Sequence, residues 1–286
     1  MNKYINCIAH ISSEGNLLIG DKHTALVDCG MAFCAAATIE KVKKMLHGRP
    51  LDYILLTHTH YDHLGALPFF RNEWPKLQTV TSPPGAEVLQ KATPRRVIRE
   101  LSLVAAEIQG ITMETSYSDD AFSADVIVKD GDRISLGGLT VEVLETPGHT
   151  RDSLCFFIPE LELLVLNETF GVLMPDGSMY PGYLTSFTDA INSIEKCSKI
   201  PYKHLSLPHR SIISSEDASG YFDKAYIATT ACRDFIIGMK KKGMTEEEMQ
   251  ESFYCQYYSE VLSTFQPKEA FMANARATIS CTLREA

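Results

Sequence analysis

Three histidines and an aspartate lie within six positions of one short segment, LLTHTHYDH at residues 55–63. They are His58, His60, Asp62 and His63. On an extended segment alternate side chains share a face, so His58 and His60 can point the same way. A turn or helix that begins near Asp62 would direct Asp62 and His63 towards a neighbouring point. The spacing therefore predicts ligands for two adjacent metal ions.

Two ions need more than four ligands, and three further candidates stand where predicted strands end. ETPGHT places His149 after a Pro-Gly turn, and LSLPHR places His209 in a matching position. LLVLNETFG ends an apolar strand at Asn167 and Glu168. A carboxylate at the end of a buried strand is costly unless it is paired or coordinated. Glu168 is therefore a candidate bridge, and the combined imidazole and carboxylate set suits zinc, iron or manganese.

The segments that must position these residues alternate between strand-like and helical patterns. Short β-rich runs precede AATIEKVKKMLHG, whose apolar residues have helical spacing, and DYILLT then leads into the histidine cluster. A helical insertion at about 83–110 is interrupted at Pro94. A second β-rich block, a helix at DAINSIEKCSKI and a final strand at HLSLPHR follow. This repeated order predicts two packed sheets with helices outside.

Beyond about residue 215 the pattern is helical throughout. TEEEMQESFYCQYYSEVLSTF begins with Thr245 before Glu248, a capping-box pattern, and the last predicted helix has Pro267 in its first turn. We therefore expect a catalytic domain at 1–214 and a helical subdomain at 215–286 docked on it.

Taken together, H-x-H-x-D-H, a later T-P-G-H-T, an acid at a strand end and a late histidine resemble the metallo-β-lactamase superfamily, in particular its glyoxalase II-like hydrolases. GNLLIGDKHTALVDCG also resembles the opening hairpin of that family. The resemblance covers about residues 5–215 and implies an α+β fold, a four-layer αββα sandwich with a binuclear site at one edge of its sheets. Carried over by position, it implies one ion held by His58, His60 and His149, another held by Asp62, His63 and His209, and Glu168 between them.

The sequence departs from the family pattern at the bridging position and at the late histidine. Glu168 follows Asn167, where the family usually has aspartate after glycine, and His209 stands in P-H-R. Arg210 would either project towards the substrate or pair with a surface acid. Asp28, at the end of ALVDCG, is either an acceptor for the second N–H of a ligating histidine or a turn-forming aspartate.

The expected chemistry is hydrolysis. Two divalent cations, zinc first and iron or manganese otherwise, lower the pKa of a shared water from about 16 to near 7 and so make a bridging hydroxide nucleophile. Asp62 would orient that hydroxide or accept its proton. The substrate would be a small ester, thioester, lactone or phosphodiester. Iron redox chemistry on the same scaffold and a metal-bound, non-catalytic binding or regulatory protein are the alternatives.

Substrate contacts are expected from the Pro/Gly/Tyr loop MPDGSMYPGYLTSF, through Tyr180 and Tyr183. The aromatic run at residues 253–258 either caps the site or packs in the core or a homodimer interface.

Composition limits the expected partners. The net charge of −9 argues against a broad electrostatic grip on nucleic acid or an anionic membrane, and no apolar stretch reaches the roughly 18 residues of a membrane span. Eight cysteines without a CxxC pair predict reduced, mostly buried thiols. No signal peptide is evident, so we expect a cytoplasmic protein that binds a small molecule.

Overall fold

Two six-stranded sheets form the centre of the molecule. The computed structural model describes residues 4–6, 15–113, 116–209, 212–214, 216, 218–263 and 266–286. The strands of the first sheet follow chain order and are β1 (Tyr4–Asn6), β2 (Asn16–Ile19), β3 (Thr24–Val27), β4 (Tyr53–Leu55), β5 (Gln78–Thr81) and β6 (Val126–Ile127). Strands β1 to β3 pair antiparallel, whereas β3 to β6 pair in parallel.

The second sheet has the order β14-β13-β10-β9-β8-β7, and β11 and β12 form a separate hairpin. These strands are β7 (Arg133–Ser135), β8 (Thr140–Glu145), β9 (Leu154–Ile158), β10 (Leu163–Val165), β11 (Val172–Leu173), β12 (Met179–Tyr180), β13 (His204–Ser206) and β14 (Ile212–Ser214). The predicted run DVIVKDGDRISL is divided between β6 of the first sheet and β7 of the second. The turn at 129–132 carries the chain from one sheet to the other.

Ten helices lie in the described part of the chain. They are α1 (Ala35–Leu46), α2 (Tyr61–Leu64), α3 (Leu67–Glu73), α4 (Pro83–Leu89), α5 (Ala92–Ile108), α6 (Phe187–Cys197), α7 (Tyr221–Lys241), α8 (Glu246–Tyr257), α9 (Glu260–Ser263) and α10 (Lys268–Arg284). None of these described helices is long and apolar enough to cross a bilayer.

The side-chain alternation of β9 shows how the layers are built. Leu154, Phe156 and Ile158 pack between the two sheets, against Leu55 and Val80 of the first sheet among others. The alternate residues of β9 pack on the opposite face, against α6 and α7. Because both faces are covered, every residue of β9 is buried. A purely apolar run, LCFFI, is therefore what this position requires.

Helices cover the outer face of each sheet. Val42 of α1, Phe70 of α3 and Ile98 of α5 pack against Leu26 and other residues of the first sheet. Helices α6 and α7 cover the second sheet. The predicted four-layer αββα sandwich is confirmed.

The C-terminal helices pack against one another and against the sandwich. Phe253 of α8 and Phe271 of α10 are fully or almost fully buried, in a cluster that also contains Tyr183 and Ala190 of the sandwich. The hydroxyl of Thr278 in α10 donates to the Tyr183 carbonyl at 3.0 Å. The helical extension is thus joined to the sandwich by both apolar and polar contacts.

Several predicted boundaries differ from the structure. The insertion breaks between α4 and α5 at residues 90–91, and Pro94 lies within the first turn of α5, where its missing N–H has no helical partner to lose. The strand at HLSLPHR is not the last, because β14 pairs with it. The long predicted helix from Thr245 ends at Tyr257, since Tyr258 leaves helical geometry, and Pro267 is the residue before α10. The Thr245–Glu248 capping box is confirmed.

Candidate metal centre

His58, His60 and His149 form the first group of candidate ligands. His58 and His60 lie in the segment that joins β4 to α2, and His60 has an extended backbone with φ −77° and ψ 150°. The ring centroids of the three histidines are 4.6, 4.8 and 5.0 Å apart, with the rings edge-on to one another. One nitrogen of each ring lies within 4.8 Å of the others, an arrangement that could hold one metal ion.

Two glycines position His149. Gly148 has φ 144°, and a Cβ there would lie 2.8 Å from the Cα of Ala190. Nδ1 of His149 contacts the carbonyl oxygen of Gly182, so that Nε2 faces Nδ1 of His60 at 3.1 Å. A Cβ on Gly182 would lie 1.7 Å from the Glu168 carbonyl oxygen, which only glycine avoids. Sequence reasoning missed Gly182, because it acts through its backbone.

The second group consists of Asp62, His63, Glu168 and His209, with ligand atoms also within 4.8 Å of one another. Asp62 and His63 belong to α2, which starts at Tyr61, as the sequence predicted for this turn. Glu168 begins a short 3-10 turn after β10. His209 follows β13 in the left-handed region, with φ 56°. The structure therefore brings all seven candidate ligand residues together in two groups.

Glu168 lies between the two groups. Its Oε1 is 2.8 Å from Nε2 of His63 and also 2.8 Å from Nε2 of His209. Its Oε2 faces the first group, 3.6 Å from Nδ1 of His58. Asn167 fixes the start of this turn, because its side chain accepts from the Thr169 N–H at 2.8 Å and donates to the Leu154 carbonyl at 2.9 Å. The Glu168 carboxylate therefore lies close to histidines of both groups, although the family that the sequence resembles usually has aspartate at this position.

Buried polar atoms without partners test whether the residues fit a metal. Within the described chain, Nε2 of His58 is buried and has no hydrogen-bond partner. The buried oxygens of Glu168 lie in ion-pair contact with His63, His209 and His58, but these contacts lack hydrogen-bond geometry. Glu168 is 4% exposed. Buried groups of this kind are normally hydrogen-bonded, and an uncompensated buried carboxylate costs several kcal/mol. The nitrogen and oxygen donors fit zinc, iron or manganese.

Asp28 supports His63 from behind. Its Oδ2 accepts from Nδ1 of His63 at 2.8 Å, which directs Nε2 of that ring towards Glu168 and the other candidate ligands of the second group. Thr57 holds Asp28 in turn, through its N–H at 2.8 Å and its hydroxyl at 2.7 Å. The acceptor interpretation of Asp28 is confirmed. The sequence assigned Thr57 no such role, because its partner lies 29 positions earlier in the chain.

Burial and charge set the protonation states of these groups. Burial lowers the pKa of His58 well below its usual range and that of His149 to about 4, so both rings are neutral at pH 7. Burial alone would raise the pKa of Glu168, but the neighbouring His63 and His58 hold it well below the usual value. Burial likewise opposes protonation of His63 and His209, yet the carboxylate of Glu168 raises the pKa of both.

Both ligand groups open on a cavity of about 220 Å³. His60, Asp62, His149, Glu168 and His209 line its floor. The loop after Glu168 and the C-terminal segments supply the walls, which include Tyr180, Leu184, Leu262 and Asn274. The helical extension therefore lies beside the site and leaves a space above the candidate ligands.

The candidate substrate residues differ in their positions. Tyr180 lines the cavity, with its ring edge-on to that of Tyr257 at 6.1 Å. Tyr183 does not: its side chain is fully buried and its hydroxyl lies 2.8 Å from the Thr282 hydroxyl. Gly182 and Leu184 face the cavity, so the intervening side chain points to the helical core. The expectation for Tyr183 is corrected accordingly. Arg210 lies outside the described residues.

The aromatic run of α8 belongs mainly to the helical core. Phe253 is 1% exposed and stacks in the same cluster as Tyr254, Tyr257 and Tyr258. Of the alternatives predicted from the sequence for this aromatic run, packing in the core is therefore the one that these described residues follow. Tyr257 supports the cavity wall indirectly, through Tyr180.

Curated relatives resemble parts of the chain. A nitric oxide reductase of Moorella thermoacetica is 30% identical over 155 residues, which is 54% of this chain and 33% of that protein. A hydroxyacylglutathione hydrolase of Brucella ovis is 26% identical over 193 residues, 66% of this chain and 59% of that protein. The chain thus spans about a third of the first relative and under two thirds of the second.

A solved structure and a family model cover more of the chain. The archaeal metallo-beta-lactamase superfamily protein ST1585 from Sulfolobus tokodaii matches with a TM-score of 0.64 and 16% identity over 100% of both chains. At that identity the match shows the fold alone. Residues 16–209, more than half of the chain, match the family model described as the metallo-beta-lactamase superfamily. This chain, with its αββα sandwich, its group of three histidines and its neighbouring group of two histidines and two carboxylates, therefore belongs to the metallo-beta-lactamase superfamily.

Proposed function

We propose that the chain is a binuclear metal-dependent hydrolase that acts on a small ester, thioester, lactone or phosphodiester. The observation that carries this proposal is the pair of ligand groups that meet at Glu168. Nε2 of His58 is buried without a hydrogen-bond partner in the described chain, and residues of both groups line a cavity large enough for a small molecule. His58, His60 and His149 would hold one divalent cation, and Asp62, His63, Glu168 and His209 the other.

Two cations held there would supply a water of lowered pKa and polarise the bond to be cleaved. Asp62 is the only carboxylate of the described ligand set that is partly exposed, at 18%, and it lines the cavity. We assign it to orient the attacking water and to accept its proton. The water oxygen then bonds to the carbonyl or phosphoryl centre, the bond to the leaving group breaks, and Asp62 returns the proton to the leaving oxygen or sulfur.

A similar protein, the donor atoms and the buried cysteines support the proposed hydrolase function, its metal and its location. A hydroxyacylglutathione hydrolase, by its name a hydrolase of an acylated glutathione, matches over 66% of the chain. Zinc is the first candidate metal because neutral imidazole and carboxylate are its usual oxygen and nitrogen donors. Six of the seven free cysteines in the described chain are buried, which supports a reducing, cytoplasmic location.

Iron-dependent redox chemistry is the second candidate. The 30% identity to a nitric oxide reductase favours it, over the matched 54% of the chain. The same imidazole and carboxylate donors also suit iron. Metal analysis of the purified protein separates the two, since zinc has no redox chemistry.

Replacing a single ligand tests the proposal. His60→Ala removes one nitrogen donor from the first group, and we expect loss of hydrolysis by at least about a hundredfold, more than the removal of a supporting residue causes. Turnover of a generic thioester, ester and phosphodiester by the metal-loaded protein measures the effect. His204→Ala is the matched control, because His204 is an exposed histidine at the start of β13 outside both groups.

Two results would contradict the proposal. Hydrolysis by His60→Ala at the wild-type rate would remove the first group from the mechanism. Absence of turnover on every substrate class by wild-type protein that holds two ions would exclude hydrolysis itself.

A further inference from the structure

A second cavity continues from the one above the ligands. It has a volume of about 340 Å³ and lies between α5 and α10. Five residues line both cavities: Met31, Tyr61, Leu101, Ala270 and Ala273. The two cavities therefore lie side by side with part of their lining in common, and the second is within reach of a ligand bound above the metal groups.

The floor of the second cavity is an apolar face of α5. Leu101, Val104 and Ile108 lie at helical spacing on one face and are 39%, 49% and 54% exposed. Large apolar side chains left this accessible at adjoining positions indicate a binding surface. From Leu101 at the metal end to Gln109 the helix rises about 12 Å. The cavity is thus a groove that runs away from the reacting centre.

The opposite wall and the rim define what the groove accepts. Pro267, Ala270 and Ala273 of the α10 segment form a wall of small side chains. The more polar lining residues Gln109, Ser263 and Glu269 are exposed. Small residues opposite the apolar face of α5 leave room for a ligand, and the exposed polar residues mark the boundary of this space with water. This shape fits a linear apolar chain.

We propose that this groove binds the linear hydrocarbon chain of an acyl substrate whose ester or thioester group lies at the metal cavity. The inference rests on the proposed hydrolase function and names its substrate class. Continuity with the reacting cavity favours a substrate tail over a second protein as the occupant. Glu269 is the only charged side chain among the described lining residues of the groove and lies at its exposed rim, which favours an uncharged hydrocarbon tail in the groove over a charged one.

A series of p-nitrophenyl esters from acetate to dodecanoate tests the groove in metal-loaded protein. Each methylene transferred from water into the groove contributes at most about 0.8 kcal/mol, so kcat/KM should rise up to about fourfold per methylene. The rise should stop when the groove is full. Esters with even numbers of acyl carbons are compared, and the rate measured with His60→Ala is subtracted as background. The dependence of kcat/KM on chain length then gives the increase per methylene and the length at which the increase stops.

Two neighbouring substitutions on α5 provide a matched pair. Val104→Asp places a charge in the groove and should lower the octanoate-to-acetate ratio of kcat/KM by about tenfold or more. Leu103→Asp makes the same change at an exposed residue of the same helix that lines neither cavity, and should preserve that ratio. Ala105→Trp, which narrows the groove, should move the preferred ester to a shorter chain.

The possible outcomes distinguish a failure of the groove proposal from a failure of the hydrolase proposal. Acetate hydrolysis with no dependence on chain length, or an equal loss in Val104→Asp and Leu103→Asp, would overturn the groove and leave the hydrolase function standing. If protein that holds both ions cleaves a phosphodiester or a lactone but none of the p-nitrophenyl esters, the acyl substrate is overturned and the hydrolase function stands. Absence of turnover on every substrate class would overturn both.

Discussion

Glu168 holds a buried charge that the surrounding side chains only partly compensate. Its Oε1 lies 2.8 Å from Nε2 of both His63 and His209. Burial opposes protonation of these two rings, but the negative charge of Glu168 raises the pKa of both. A cation bound by the second group would therefore compete with protons for the nitrogens of His63 and His209. His58 and His149, whose pKa values are lowered by burial, need no proton to be displaced. The two groups are therefore electrostatically different although they share one carboxylate.

Replacing Asp28 tests the support of the second group at the residue scale. In Asp28→Asn the side-chain amide can donate to Nδ1 of His63, which moves the ring proton to Nε2 and blocks that ligand atom. We expect the second ion to bind about 10- to 100-fold more weakly, with the first unaffected. Competition with a chelator measures both affinities.

The control for Asp28 lies at the other end of the same strands. Asp52 likewise accepts a backbone hydrogen bond, from the Thr24 N–H at 2.8 Å, but lies outside both ligand groups. Asp52→Asn should leave both ion affinities unchanged. Unaltered binding of the second ion in Asp28→Asn would show that His63 does not depend on this contact.

Tyr183 provides a residue-scale test of the corrected cavity wall. Tyr183→Phe removes the contact with the Thr282 hydroxyl, which still donates to the Thr278 carbonyl at 2.8 Å. We expect a loss of about 1 kcal/mol in the free energy of unfolding and no change in kcat/KM. Tyr180→Ala, which enlarges the cavity, should instead raise KM. A changed kcat/KM in Tyr183→Phe would return Tyr183 to the substrate site.

At the scale of elements, α10 is tied to the start of α6. Glu285, just after α10, accepts from the N–H and the hydroxyl of Thr188 at 2.9 Å each. A carboxylate at a helix N-terminus is favourable because it faces unpaired N–H groups and the positive end of the helix dipole. Burial alone would raise the pKa of Glu285, but the hydrogen bonds from Thr188 and Ser186 lower it below the usual value.

The pH dependence of this contact follows from the sign of the shift. Because the folded protein lowers the pKa of Glu285, the ionised carboxylate stabilises the fold above its unfolded pKa, and this contribution is lost as pH falls through the folded value. Glu285→Gln should cost about 0.5 kcal/mol at pH 7, since the group is largely exposed. Urea unfolding at pH 7 and pH 3 should show that difference only at pH 7.

An exposed glutamate elsewhere provides the control. Glu251→Gln on the outer face of α8 should change stability at neither pH. If Glu285→Gln and wild-type protein unfold at the same urea concentration at pH 7, the contact with α6 contributes nothing measurable.

Elements differ in how far the sequence could specify them. The capping box at Thr245 and the ligand cluster at 58–63 are local patterns, and both could be predicted. The break at residues 90–91 could not, because Pro94 looks like the stronger interruption until the start of α5 places it in a first turn. The division of one β-rich run into β6 and β7 depends on pairing with distant strands.

On the scale of the whole molecule, the site is assembled from segments far apart in sequence. The Leu154 N–H of the second sheet donates at 2.7 Å to the carbonyl of Thr57, in the segment that follows β4 of the first sheet, and this contact joins the two sheets beside the ligands. The sequence could identify His149 and His209 because each follows a predicted strand. It could not identify Gly182 or Thr57, whose contributions require the fold to bring partners together.

The same limit applies to the groove. The apolar spacing of α5 is visible in the sequence, but an apolar helix face usually packs in a core. In the folded protein α10 lies across a cavity from this face of α5, so the face stays accessible and borders the ligand cavity. The substrate class proposed here therefore depends on the whole molecule.

Anomalous diffraction at the metal absorption edge from crystals of the metal-loaded protein tests the central claim most directly. We expect two peaks, one among His58, His60 and His149 and one among Asp62, His63 and His209, with Glu168 between them. Glu168→Gln should weaken the second peak more than the first, because that carboxylate approaches His63 and His209 most closely. If crystals soaked in a saturating concentration of the metal ion show no anomalous peak in either group, the proposed metal centre is contradicted.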